Sequence, residues 1–394
     1  AGKNFTVSEK DVEYVITSDG VSLYFRTNGE VREIPFGVRG GIYYARDEED
    51  GRLSHGRTAV NHSVSVAVPP DRREVLELVY STAPVKTRAA EIIEQVVCYR
   101  RKIREQAGFT EKPASALAAA ANQFLSYRES TDGWTILAGF PFFEDWGRDT
   151  MIALTGCCLV TGQYGAAKSI LRTFASYCRR GLLPNLFPEG GEEPGYNTVD
   201  ASLLFILAVR EYYERTGDKA SVGELYPVME EIIRWYREGT DYQIRMDEDG
   251  LLAAGSGYDQ VTWMDVRIGD ILPTPRHGKP VEINAYWYNA LRIMERFTEE
   301  FSAEELSKDS AYYGAMADRV KDCFERAFWN EEAGCLMDVL CDGPAMRQIR
   351  CNQIWTVSLP YALLSPEKER AVVETVYRKL YTPLGLRTLD PADW

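Results

Sequence analysis

The order of apolar and polar positions changes character near residue 86. Before it, short stretches alternate: Val12 to Ile16, Val21 to Phe25, Val64 to Val68 and Val75 to Tyr80. Turn signals bound them, among them Ser18-Asp19-Gly20, Asn28-Gly29 and Pro69-Pro70-Asp71. A period of two between such residues marks antiparallel strands. Residues 1–85 are therefore expected to form a small β-rich region of about five strands, a sandwich or part of one. Over 87–106 the period lengthens, and Ile92, Ile93, Val96 and Val97 make the apolar stripe of a charged amphipathic helix. Residues 86–109 are read as a linker helix and 110–394 as a helical domain.

Within that domain the spacing predicts helices at 114–127, 149–161, 163–180, 198–216, 221–240, 282–303, 308–328, 353–364 and 366–380. The joining segments alternate between short and long. The long ones, 131–148, 181–197, 250–281 and 330–351, carry many polar and aromatic residues. Helix pairs with long loops gathered at one end predict a mainly α fold, an α/α toroid rather than a bundle.

Composition narrows the partners. A net charge of −14 argues against nucleic acid and anionic membrane surfaces, which both need a basic face. With 8 Trp and 23 Tyr, many beside acids, the chain suits a neutral, hydroxyl-rich ligand whose C–H faces stack on rings. Its eight cysteines include no CxxC pair, which predicts free thiols and a reducing, cytoplasmic compartment. Three histidines without ligand spacing predict no metal site. No apolar run reaches the roughly 18 residues of a membrane span. A start at Ala1 rather than Met places the true N-terminus elsewhere or removes it.

Four acid-aromatic clusters stand at or before predicted helix starts. The first is Phe142-Phe143-Glu144-Asp145-Trp146-Gly147-Arg148-Asp149-Thr150. Asp149 reads equally as a helix cap or first-turn acid, but that leaves Trp146 and Arg148 unexplained. The second runs from Pro184-Asn185-Leu186-Phe187-Pro188 to Tyr196-Asn197-Thr198-Val199-Asp200, where Asn197 also reads as an N-cap with Asp200 in the first turn. The third is Thr262-Trp263-Met264-Asp265. An acid in a short non-helical run after Trp is a plausible proton donor if its surroundings are apolar; an Asx turn is the plainer alternative. The fourth, Pro275-Arg276-His277-Gly278-Lys279-Pro280 followed by Val281-Glu282-Ile283-Asn284, puts Glu282 in a first turn. Each is weak alone, while four together fit a sugar-binding or glycoside-cleaving site.

These motifs, with Asn352-Gln353-Ile354, Val357-Ser358-Leu359-Pro360 and Gly385-Leu386-Arg387-Thr388-Leu389, resemble in order the amylo-α-1,6-glucosidase domain of glycogen debranching enzymes. The similarity runs from about residue 110 to the end. It implies an (α/α)6 toroid of six helical hairpins and hydrolysis, with inversion, of the α-1,6-linked glucose left on a trimmed branch of glycogen or a related α-glucan. The substrate partner is an α-glucan or branched maltooligosaccharide, and no cofactor is implied. On this mapping Asp265 is the general acid. Arg148 and Asp149 grip the outer hydroxyls of the terminal glucose, and Trp146 and Trp263 line its pocket. Asn197, Asp200 and Glu282 bind substrate or support those that do. The family pattern continues past the Gly385–Leu389 motif, so the general base is expected beyond Trp394 and the toroid is expected to be incomplete. The chain is then a fragment or a truncated product, and self-association through the open toroid is expected. The alternatives are a non-catalytic α-glucan-binding fragment and another toroid α-glucosidase or trehalase-like hydrolase.

Overall fold

The computed structural model describes residues 6–10, 13–18, 21–49, 51, 53–139, 143–187, 193–301, 309–341 and 346–393. Two compact units divide between Lys102 and Ile103.

In the first unit, strands β1 (Thr6–Lys10), β2 (Glu13–Ser18), β3 (Val21–Thr27), β4 (Glu30–Tyr43), β5 (His55–Ser65) and β6 (Leu78–Ser81) follow in turn, with a short helix α1 (Ala45–Glu49) between β4 and β5. An antiparallel sheet has the order β1-β2-β3-β6, and β4 and β5 form a separate hairpin. Phe25 is buried and opposes Tyr14 on one neighbour and Tyr80 on the other, with ring centroids 4.9 and 5.8 Å apart. Such a cross-strand aromatic ladder pins the register. The expected turn at Asp19-Gly20 lies outside the described residues.

Strand β4 escaped the alternation reading because Pro35, Gly37, Gly40 and Gly41 look like breakers. The ladder shifts register between Glu33 and Gly37 and again between Arg39 and Ile42, so these residues fall at irregularities. A proline without an N–H and a glycine at φ 76° (Gly41) are tolerated there. The strand expected at Val64–Val68 instead begins at His55 and ends at Ser65, and the one at Val75–Tyr80 contracts to Leu78–Ser81.

The second unit is mainly α, as its periodicity predicts. Helix α2 (Ala89–Ala107) crosses the division. It is followed by α3 (Lys112–Ala121), α4 (Gly147–Leu154), α5 (Tyr164–Ser176), α6 (Asp200–Thr216), α7 (Lys219–Glu238), α8 (Val281–Phe301), α9 (Ser310–Phe328), α10 (Trp355–Ser358) and α11 (Pro366–Leu380). Helix α4 packs on α6 and α6 on α8. Helix α5 lies against α6 and α7, and α8 also takes α7 and α9. This alternation is a helical-hairpin array of the (α/α)6-toroid class. Burial identifies the layers. Every residue from Asp200 to Val209 in α6 and from Val281 to Leu291 in α8 is buried, which marks inner helices. By contrast, α7 buries one stripe, Val222, Leu225, Tyr226, Met229, Ile232, Ile233 and Tyr236.

Three expected helices change in kind, and that at 163–180 shortens to α5. The segment 353–364 is helical only over Trp355–Ser358, after a 3-10 turn at Cys351–Ile354. Pro360 forces Leu359 out of the helical region, to φ −83° and ψ 158°. The segment 149–161 starts two residues early and passes at Thr155–Leu159 into a π turn. The segment 114–127 stops at Ala121, and Leu125–Arg128 becomes strand β7, paired with β8 (Gly133–Ile136). Among the described residues no helix is long and apolar enough to cross a membrane, and the eight cysteines are all free thiols.

Asp218 caps α7. Its carboxylate accepts from Ser221 N at 3.1 Å and Ser221 Oγ at 2.6 Å, and from Tyr212 and Lys168. The Ser221 bonds first, then Tyr212, hold its carboxyl far below the ordinary range. A depressed acid stabilises the fold above its unfolded value of about 3.9 and ceases to do so as pH falls through the folded value. Asp218→Ala should therefore cost about 1 kcal/mol at neutral pH. Unfolding curves of variant and parent should begin to converge below about pH 4 and meet only as pH falls to the much lower folded value.

Candidate active site

Loops at one end of the inner helices enclose a cavity of about 740 Å³, within the range of small-molecule sites. The first turns of three helices reach its wall: Arg148 and Asp149 from α4, Asp200 from α6 and Glu282 from α8. Trp263, Tyr286 and Trp355 add aromatic surface.

The first turn of α4 is placed by its flanks. Strand β9 (Asp145–Trp146) pairs with β10 (Leu186–Phe187), and the Gly147 amide donates to Asn185 O at 2.9 Å. A Cβ at Gly147 would run into the Pro184 carbonyl, so only glycine allows this approach. Asp145 is buried and turned inward, where it accepts from Thr150 Oγ1 at 3.0 Å, from Thr135 and from Arg128. Of the carboxylates in this cluster, Asp145 therefore anchors the turn, whereas Asp149 faces the cavity.

Arg148 is 8% exposed and lies between two acids. Its Nε donates to Asp200 Oδ2 at 2.6 Å, and its Nη1 to Asp265 Oδ2 at 3.2 Å. Burial alone would lower its pKa, but Asp200 and then Asp265 outweigh that and raise it, so the guanidinium stays charged. Two buried atoms of the pair have no partner among the described residues, Arg148 Nη2 and Asp200 Oδ1. One is a donor and the other an acceptor, the complement that a ligand hydroxyl supplies. Asp149 is open to solvent at the cavity. The protein mass around it still desolvates the carboxyl and pushes it above the ordinary range, against the pull of Arg148.

The remaining expected residues separate. Asp265 is brought to the cluster by its ion pair with Arg148. Its side chain is 33% exposed, so the apolar surroundings expected for it are not found. Trp263 lines the cavity, its indole N–H donating to Asn352 Oδ1 at 2.8 Å. Glu282 reaches the wall but is 1% exposed, and both its oxygens are taken by Arg276. Burial pushes the Glu282 carboxyl up while Arg276 pulls it down, and burial prevails. Trp146 is half-buried, precedes α4 and is not among the described lining residues. Asn197 does not cap α6, because Val199 takes that position. Its side chain instead lies 3.5 Å from Asn185 Nδ2 and 3.4 Å from Gln260 O. Residues 188–192 of that loop, and Phe142, lie outside the described residues.

The motifs assign no part in the site to Tyr286, Trp355, Asn352 or Asp338, although Asn352 stands in one of them. Tyr286 and Trp355 meet edge-on, with centroids 5.3 Å apart. Asp338 is buried and takes Arg276 Nε at 2.8 Å and Nη2 at 3.1 Å. The one available signal was the pair of motifs holding Arg276 and Asn352, since an arginine before a buried helix start needs acidic partners. Asp338, in an unremarkable stretch, gave none.

The family described as amylo-alpha-1,6-glucosidase matches residues 119–394. A glycogen debranching enzyme of Saccharomyces cerevisiae is 27% identical over 350 residues, covering 66% of this chain and 22% of that protein. The chain thus spans about a fifth of the length of that curated relative. Among solved structures, a rhamnosidase from Klebsiella oxytoca with rhamnose bound aligns with a TM-score of 0.52 at 15% identity, over 95% of this chain and 72% of that one. A GH78 family rhamnosidase of Bacillus sp. GL1 aligns with 0.53 at 18% identity, over 98% and 39%. At these identities the two likenesses speak for the fold alone.

Proposed function

Because the chain belongs to the amylo-alpha-1,6-glucosidase family of glycoside hydrolases, we propose that its cavity takes the terminal α-1,6-linked glucose of a trimmed α-glucan branch and releases it by inverting hydrolysis. The observation that carries this reading is the meeting of Arg148, Asp149 and Asp200 on one aromatic-walled cavity, with Asp265, itself not among the described lining residues, ion-paired to the same arginine.

Each group has a part. A glucose hydroxyl accepts from the Arg148 guanidinium and donates to the Asp200 carboxylate at the cavity wall. Asp149 takes a neighbouring hydroxyl. The faces of Trp263 and Tyr286 cover the apolar C–H surface of the ring. Asp265, tied only at its Arg148 side and reached by solvent, gives its proton to the departing glycosidic oxygen. Inversion also requires a water on the opposite face and a second carboxylate to activate it, a part given to none of the residues above. Glu282 touches the wall as a support, since Arg276 occupies its carboxylate. The binding of neutral hydroxyls by fixed charge also explains the absence of any need for net positive charge.

Incubation with a singly α-1,6-branched maltooligosaccharide, with free glucose assayed, tests the reading. Glucose in the α-anomer's inverted form, β-glucose, is the expected first product. Asp200→Asn should raise KM and lower kcat/KM by about 10-fold or more, because the neutral amide weakens a charge-assisted hydroxyl bond and releases Arg148. Binding of the oligosaccharide without release would instead favour a glycan-binding role. No binding and no release would end the proposal.

A further inference from the structure

Asn352 sits in the 3-10 turn Cys351–Ile354 and is 2% exposed. Both ends of its amide are in use. Nδ2 donates to Asp338 Oδ1 at 2.8 Å, and Oδ1 accepts the Trp263 indole N–H at 2.8 Å. The orientation of the amide is not free. The Asp338 carboxylate, gripped by Arg276, only accepts, and an indole N–H only donates. One of the two flips therefore satisfies both neighbours and the other satisfies neither. Nδ2 also lies 3.7 Å from Met264 Sδ.

Trp263 and Met264 are the two residues before Asp265. Among the described residues few other bonds hold this non-helical run: Met264 N to Thr262 Oγ1 at 3.3 Å, Thr274 Oγ1 to Met264 O at 3.3 Å, Gln260 Nε2 to the Asp265 carbonyl, and the Arg148 ion pair. Trp263 is 38% exposed, so packing alone does not hold its ring. The buried amide behind it does, and that amide is itself fixed by the Arg276–Asp338 pair. A chain of bonds thus leads from beneath the start of α8 to the acid at the cavity edge.

We propose that Asn352 is the positioning residue of the acid: it sets Trp263 at the cavity rim and fixes the backbone that presents Asp265 to the leaving oxygen. This rests on the reading of Asp265 as general acid. Asn352 acts through those two residues and transfers no proton itself.

Two substrates separate positioning of the acid from general damage. The branched maltooligosaccharide has a poor leaving group and needs a proton; α-glucosyl fluoride has a good one and needs little help. Asn352→Ala should lose about 100-fold in kcat on the oligosaccharide, the scale expected for a small misplacement of a reacting group. Its loss of kcat on the fluoride should be much smaller, whereas KM should rise alike on both substrates as the Trp263 face at the cavity loosens. Asn352→Asp keeps the acceptor for Trp263 but sets a second carboxylate against Asp338. Its activity should recover as pH falls and a proton is shared between the two acids. Equal losses on both substrates, or an Asn352→Asp variant indifferent to pH, would overturn the proposal while leaving the hydrolase reading intact.

A measurement without turnover decides the placement separately. Acrylamide quenching of Trp263, isolated by difference against Trp263→Phe, should increase in Asn352→Ala while the circular dichroism spectrum stays unchanged. Unchanged quenching overturns the inference even if the parent protein releases glucose. Increased quenching supports it even where neither substrate is cleaved, an outcome that would sink the hydrolase reading alone. Should Asn352→Ala fail to fold, Asn352→Asp serves in the same comparisons.

Discussion

Asp265→Asn should abolish glucose release from a singly α-1,6-branched maltooligosaccharide, lowering kcat by about 10²–10⁴-fold, the usual contribution of a positioned general acid. The substitution is nearly isosteric and falls on a side chain 33% exposed with one ion-pair partner. Stability should therefore change by less than about 1 kcal/mol, since a partly exposed pair contributes little. Binding should survive, because Arg148 keeps Asp200 at 2.6 Å and Asp149 keeps its place on the wall. The amide cannot give up a proton, so the loss should be far smaller with α-glucosyl fluoride. Glucose release that persists at the parental rate would remove Asp265 from the role. Loss of binding together with release would make it a substrate ligand instead.

The largest stability effect is expected at Arg276. This guanidinium is 1% exposed and holds Glu282 through Nη1 and Nη2, and Asp338 through Nε and Nη2. The two acids outweigh the effect of burial and raise the guanidinium pKa far above its ordinary value. Replacing the pair or triad by apolar groups together is often tolerated, but removing one partner strands the other charge. Arg276→Met should cost about 3–5 kcal/mol at pH 7, read from urea unfolding. Its pH dependence follows from Glu282. Burial already pushes that carboxyl up against the pull of Arg276, and without the arginine it rises further. A raised acid is relieved by protonation, so the deficit should shrink as pH falls from 7 toward the unfolded value of about 4.3. Adding Glu282→Gln to Arg276→Met should return part of the loss at pH 7, as coupled neighbours do. A single-variant cost under about 1 kcal/mol would mean the triad behaves like a surface pair.

How far these sites were legible depends on which neighbours decide them. The acid-aromatic motifs are local, so Arg148, Asp149, Asp200, Trp263 and Glu282 were all nominated from sequence and all reach one cavity. Their duties were less visible. Asp145 and Asp149 look alike in the chain, yet Arg128, Thr135 and Thr150 draw one inward while the other faces the cavity. Glu282 reads as a sugar ligand until Arg276 is found on both its oxygens. Asp338 carries no motif, because its importance comes from a residue 62 positions away. Trp146 stands in the same motif as Arg148, pairs in a strand with Leu186 and is not among the described lining residues.

By itself the sequence determined the character of the elements. Runs such as Leu203 to Val209, apolar on every side, demand burial all round and so an inner helix, and the one-sided stripe of α7 demands an outer one. It also determined which loops carry acids and rings together. Only the tertiary structure decided where Pro360 stops a helix within a packed turn, which carboxylate meets which guanidinium, and that Arg148 spans Asp200 and Asp265, 52 and 117 residues distant. The reason is one of range. Periodicity and turn chemistry act over a few residues, whereas the partner of a buried charge is chosen by chain segments that meet only after the hairpins have packed.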